Sequence, residues 1–110
     1  MANEVVFSPQ ITAERIESIV QQGFKTVINN RPDGEELDQP TSKQIADACE
    51  QAGLAYGEFL FSGNDLTEQL VTEFAKYFNQ AEQPVFMFCR SGNRSHVIYQ
   101  AAVQLGLISE

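Results

Sequence analysis

The chain has 110 residues, enough for one domain with its own core, and its 43% hydrophobic and 20% charged residues are those of an ordinary globular protein. With 15 acidic residues against 7 basic, the net charge of −8 argues against non-specific nucleic-acid binding, which runs on clusters of Lys and Arg. No apolar run approaches the roughly 18 residues of a membrane span, Met1-Ala2-Asn3-Glu4 lacks the features of a signal peptide, and the two cysteines read as reduced thiols, so a cytoplasmic location is expected.

Short β-branched or aromatic runs alternate with helical periodicity. No repeat, low-complexity tract or linker interrupts them, so residues 1–110 read as a single domain. Val5-Val6-Phe7 opens as a short strand. Thr12 is placed to cap a helix with Ile16, Ile19 and Val20 on its apolar face, stopped by Gly23. Thr26-Val27-Ile28-Asn29 reads as a buried strand, and Arg31 to Pro40 as a loop on its Pro, Asp and Gly content. Thr41 and Gln44 form a capping box ahead of Ile45, Ala48, Cys49 and Ala52, and Gly53 ends that helix. Ala55 to Leu60 is a third strand. Asp65 with Glu68 repeats the capping pattern before Leu66, Leu70, Val71, Phe74 and Phe78. After Pro84, Val85-Phe86-Met87-Phe88 is an unbroken apolar run, as a central parallel strand should be. The last helix is expected from near Ser95, with Val97, Ile98, Ala101, Ala102 and Leu105 on its face.

This order predicts an α/β fold with a mostly parallel sheet flanked by helices, and such folds bind ligands at the carboxyl ends of the strands. Arg31, Cys89, Arg90 and Arg94 all fall on that edge; Arg15 is the one arginine that does not. In so acidic a chain, that placement points to an anionic ligand.

The segment Cys89-Arg90-Ser91-Gly92-Asn93-Arg94-Ser95 lies between a buried strand and a helix. A thiol at a helix N-terminus meets unpaired N–H groups and the positive end of the dipole, and nearby guanidinium groups add to the preference for thiolate. Gly92 lets the chain curl so that the loop amides of Arg90, Ser91, Gly92 and Asn93 can point at one anion. Arg94 offers a planar charged fork, and Ser95 can cap the helix or hydrogen-bond the thiolate. These residues predict an activated nucleophile in an anion cradle, with Arg31 within reach of the ligand.

Cys-Arg-Ser-Gly-Asn-Arg-Ser is similar to the active-site loop of rhodanese sulfurtransferases. It also resembles the Cys-x5-Arg loop of tyrosine and dual-specificity phosphatases, with Arg94 one residue early. The chain as a whole most resembles the phosphatase-like domain of the beta-lactamase hydrolase-like proteins. That resemblance rests on residues 23–36, on Gln39-Pro40, on Ala52-Gly53-Leu54-Ala55-Tyr56 and on the Cys89 loop. It implies a dual-specificity-phosphatase-like fold with Cys89 as nucleophile and Arg94 as anion ligand. Some relatives are joined to a persulfide-handling metallo-hydrolase domain, so a partner of that kind, absent from this chain, is also implied.

Two departures bear on the reaction. Only four residues separate Cys89 from Arg94, which suits a sulfur atom better than a phosphoryl group, and Phe88 stands where phosphatases commonly carry His. The first expectation is therefore sulfane-sulfur transfer through a Cys89 persulfide to a thiol acceptor. The alternative is phosphomonoester hydrolysis through phosphocysteine, with Asp65 as general acid if it is not simply a helix cap. A non-catalytic anion-binding module is the third. Cys49 reads as a core thiol, His96 as a surface residue, Glu35, Glu36 and Asp38 as a solvated loop, and Asp33 as a group able to orient Arg31. No spacing suggests a metal site, and no cofactor is expected.

Overall fold

A computed structural model describes residues 3–110; Met1 and Ala2, the start of the segment read for a signal peptide, lie outside the described residues. Strands and helices alternate as β1 (Val5–Ser8), α1 (Arg15–Gln21), β2 (Thr26–Asn29), α2 (Ser42–Ala52), β3 (Ala55–Glu58), α3 (Glu68–Gln80), β4 (Val85–Phe88) and α4 (Asn93–Gln104). All strand pairings are parallel, in the order β1-β4-β2-β3. Among the described residues, no helix is long and apolar enough to cross a membrane.

The period of two in the buried strands divides the core. Val85 and Met87 of β4, with Ile28 of β2, pack on Val71, Phe74 and Phe78 of α3 and Ile98 and Ala102 of α4. Phe86 and Phe88, with Val27, face Ile16 and Ile19 of α1 and Ile45 and Cys49 of α2. A strand covered on both faces has no polar side to offer, which is why β4 is apolar throughout. The helices after β1 and β2 cover one face and the helix after β4 covers the other. The carboxyl end of β4 therefore lies where flanking connections diverge, the position at which such sheets bind ligands.

The capping box forms: Thr41 Oγ1 accepts from the Gln44 amide at 3.1 Å and Gln44 Oε1 accepts from the Thr41 amide at 2.9 Å. Other expected ends move. Thr12 does not cap α1; its carbonyl accepts from the Arg15 amide in a preceding turn, and Glu14 holds the cap position without a side-chain bond. Nor does Asp65 cap α3. Thr67 does, accepting from the Leu70 amide at 3.1 Å, while Asp65 belongs to the turn before it. β3 ends at Glu58 rather than Leu60, although Phe59 and Phe61 still donate to the carbonyls of Asn29 and Asn30. α4 begins at Asn93, ahead of Ser95, because Gly92 takes the cap position. Val20, Val97 and Leu105, expected on buried faces, are exposed.

Candidate active site

Cys89 follows β4 directly, and both neighbouring strands hold it there. Its amide donates to the Ser8 carbonyl at the end of β1 (3.3 Å), and the Asn30 amide, just past β2, donates to the Phe88 carbonyl (2.9 Å). Gly92 then turns the chain with φ +96°, a conformation that a side chain disfavours. A Cβ at that position would meet the Ser8 backbone at 3.4 Å. The turn brings the Gly92 amide to 3.1 Å from Cys89 Sγ.

Cys89 is fully buried, which by itself pushes its pKa up. The backbone amides of Ser95, Gly92, Ser91 and Arg94, of which Gly92 makes a hydrogen bond to Sγ, more than offset that, and the net effect lowers the pKa from its ordinary value. The sulfur thus faces backbone donors at the start of a twelve-residue helix, which favour its thiolate form. Cys49 provides the contrast. Buried among Ile45, Val27 and Phe86 without such donors, its thiol is pushed up to about 11.

Ser95 neither caps α4 nor donates its hydroxyl to sulfur. It is buried in the first turn, and its Oγ donates to Asn30 Oδ1 at 2.8 Å. Asn30 Nδ2 donates to the Phe59 carbonyl at 2.9 Å. One buried amide thereby ties the helix start, the end of β2 and the segment after β3 together. From the sequence, a pair of amides closing an apolar strand suggests only that Asn30 shapes the strand end; its partners on α4 and after β3 are visible only in the fold.

Arg94 is engaged from the opposite side. Its Nη1 and Nη2 donate to Glu35 Oε2 and Oε1, each at 2.8 Å, and Nη1 also donates to the Phe61 carbonyl at 3.0 Å. Glu35 accepts a further bond from Arg31 Nε at 2.9 Å. The Arg94 hydrogen bond is the largest cause, with Arg31 adding to it against a burial penalty, and together they lower the Glu35 carboxyl to about 2. Glu35 is therefore a bridge between two arginines, although it lies on the exposed loop expected, with Glu36 and Asp38.

Arg31 is buried, and each of its nitrogens has a partner. Besides Glu35, Nη1 donates to Gln10 Oε1 at 3.2 Å and Nη2 to Glu36 Oε1 at 2.7 Å. The expected reach to a ligand does not occur, because the loop folds its carboxylates over this guanidinium. Asp33 does not orient it; that carboxylate accepts from the Ser42 amide and hydroxyl at the start of α2. Arg90 is exposed, with Nε 3.8 Å from Glu36. Ser91 and Asn93 are also exposed, and the Asn93 amide donates to Ser91 Oγ at 3.3 Å.

Asp65 is exposed, with its carboxylate accepting from Ser62 Oγ at 2.9 Å. Its loop starts beside Phe61, whose carbonyl contacts Arg94. His96 is exposed and meets the Phe7 ring edge-on, centroids 5.2 Å apart. Among the described residues, no group of three or more His, Cys, Asp and Glu side chains is placed to hold a metal ion.

Residues 1–106 match the family described as the phosphatase-like domain of beta-lactamase hydrolase-like protein. The chain is 43% identical over 82 residues to a beta-lactamase hydrolase-like protein of Agrobacterium fabrum, covering 74% of this chain and 19% of that protein. A Xylella fastidiosa protein of the same description is 32% identical over 95 residues, 86% of this chain and 22% of that protein. The chain thus spans about a fifth of the length of these relatives. Among solved structures, a candidate phosphatase of Neisseria meningitidis superposes with a TM-score of 0.82 at 36% identity, covering 94% of this chain and 75% of that one. The catalytic core of the PP-IP phosphatase Siw14 from S. cerevisiae superposes at 0.68 with 18% identity, over 97% of this chain and 64% of that one, a likeness of fold alone.

Proposed function

The chain belongs to the phosphatase-like domain family of the beta-lactamase hydrolase-like proteins, and on that premise we propose that it hydrolyses phosphate monoesters through a phosphocysteine at Cys89. The observation that carries this reading is the buried Cys89 sulfur at the N-terminus of α4, with the Gly92 amide donating to it at 3.1 Å. The same donors suit a thiolate first and the oxyanion delivered to it next.

In the first step the Cys89 thiolate attacks phosphorus, the bond to the leaving oxygen breaks, and Asp65 gives that oxygen its proton. In the second, water attacks the phosphocysteine while the Asp65 carboxylate takes a proton from it. The S–P bond breaks, inorganic phosphate leaves and the thiolate returns. Two findings are compatible with Asp65 in this role beside its bond to Ser62 in the turn. Thr67 caps α3 in its place, and the Asp65 loop adjoins the carbonyl that accepts from Arg94. Together with the family match, they reverse the order that loop length suggested.

Sulfane-sulfur transfer is the second reading, favoured by the four-residue spacing between Cys89 and Arg94. Here the thiolate attacks the outer sulfur of a donor such as thiosulfate, the S–S bond breaks and sulfite leaves as a stable anion. The Cys89 persulfide then passes its sulfur to a thiol acceptor. A persulfide-handling metallo-hydrolase partner belongs to this reading.

Assaying the purified chain with an alkyl phosphate and with thiosulfate plus cyanide separates the two. Cys89→Ser should abolish turnover while the circular dichroism spectrum stays unchanged. Asp65→Asn should lower alkyl phosphate hydrolysis by about 10²-fold or more, and leave sulfur transfer nearly untouched, since sulfite needs no proton to depart. A Cys89 persulfide in the mass spectrum, with no phosphate released, would replace the first reading by the second.

A further inference from the structure

We infer that Glu35 is a positioning residue that presents the remaining donor edge of Arg94 to an oxyanion, and that Arg31 holds Glu35 in place for it. The inference rests on the anion-binding part of the reading above.

It follows from counting donors. A guanidinium carries five N–H groups in a plane. In Arg94 both N–H groups of Nη1 are used, one by Glu35 Oε2 and one by the Phe61 carbonyl, and one of Nη2 is used by Glu35 Oε1. What remains is Nε–H and the second N–H of Nη2. These two lie on one edge of the plane and form the parallel fork that matches two oxygens of a phosphate or sulfonate group. Glu35 takes the end of the guanidinium and leaves the side free.

The rest of the cluster fits a supporting role. Arg31 has three of its five N–H groups engaged, by Gln10, Glu35 and Glu36, and is the more deeply buried of the two arginines, its side chain 2% exposed against 16% for Arg94, so it is the less accessible to a ligand. Its bond to Glu35 Oε1 fixes the carboxylate that Arg94 grips. Arg31, Arg90 and Arg94 against Glu35, Glu36 and the Cys89 thiolate leave no net charge, so attraction for an anion rests on the free edge of Arg94 rather than on the charge of the cluster.

The test uses the full chain with Glu35→Ala, Glu35→Asp, Arg94→Ala and the Glu35→Ala/Arg94→Ala pair. Side-chain ¹⁵N relaxation of the Arg94 Nε–H, measured without ligand, reads its ordering. Titrations with inorganic phosphate and with thiosulfate read anion affinity. Glu35→Ala should leave Arg94 mobile and weaken anion binding by about three- to tenfold, the ordering cost of one long side chain. Glu35→Asp should fall between it and the parent, and Glu35→Ala should have no further effect once Arg94 is Ala. The inference is overturned if Arg94 stays ordered in Glu35→Ala, if either anion then binds as tightly or tighter, or if the loss persists in the Arg94→Ala background. If the parent chain binds neither anion, the anion-binding reading of the site fails. The ordering of Arg94 still decides whether Glu35 positions it.

Discussion

Replacing Gly92 by Ala perturbs the loop at the residue whose backbone it can least do without. The new Cβ would sit at 3.4 Å from the Ser8 carbonyl carbon, an ordinary contact, so space is not the obstacle. The obstacle is φ +96°, where a side chain costs about 1–3 kcal/mol. The chain has two ways to respond. If it keeps its shape, the fold loses that amount. If it rotates the peptide to relieve the strain, the Gly92 amide leaves Cys89 Sγ, and losing one hydrogen bond to a charged group, worth about 1.5–3 kcal/mol, raises the thiol pKa by about 1–2 units. Urea unfolding reads the first response, and thiolate absorbance against pH reads the second. Cys49, held near 11, does not titrate in the same range. A variant with unfolding free energy within about 0.5 kcal/mol of the parent and an unchanged Cys89 pKa would refute the reasoning.

Asn30→Ala should destabilise the fold by about 2–4 kcal/mol in urea unfolding, because it strands two buried groups, the Ser95 hydroxyl and the Phe59 carbonyl. Alkaline conditions test Cys49. Its folded pKa of about 11 lies above the unfolded value near 9, so the unfolded chain loses its proton first. The stability this thiol contributes is present below about pH 9 and lost as pH rises to about 11. Cys49→Ala should remove that part of the alkaline decline in an unfolding series at several pH values.

What the sequence made legible was what depends on neighbours along the chain. The apolar runs at Thr26–Asn29 and Val85–Phe88 became the two inner strands, and Thr41 with Gln44 capped the helix they foretold. The Cys89 loop was legible for the same reason, since its turn, amides and helix start lie within seven consecutive residues. Polar residues in competition were harder. Asp65 carried the capping pattern with Glu68, yet Thr67 fits the register in which Leu70, Val71 and Phe74 meet the sheet. Side-chain partners distant in sequence were not legible at all. Glu35 and Arg94 are 59 residues apart, and only the folded sheet edge brings that carboxylate between Arg31 and Arg94. An acidic loop and a solvated loop look alike until the arginines beneath them are placed.

The pairing of β1 with β4 has a consequence for when the nucleophile comes into being. β1 is an edge strand with β4 as its one neighbour, so it has no partner until the chain has been made through Phe88. The Cys89 amide and the Arg90 carbonyl then close onto Ser8 and Gln10, contacts spanning about eighty residues. Such closures come late, because the entropy of joining distant segments must be overcome before their contacts form. In a growing or unfolded chain, Cys89 is a thiol with an ordinary pKa of about 8.5. A lowered Cys89 pKa therefore requires the folded loop, and the closure of β1 on β4 is one of the contacts that hold that loop in place.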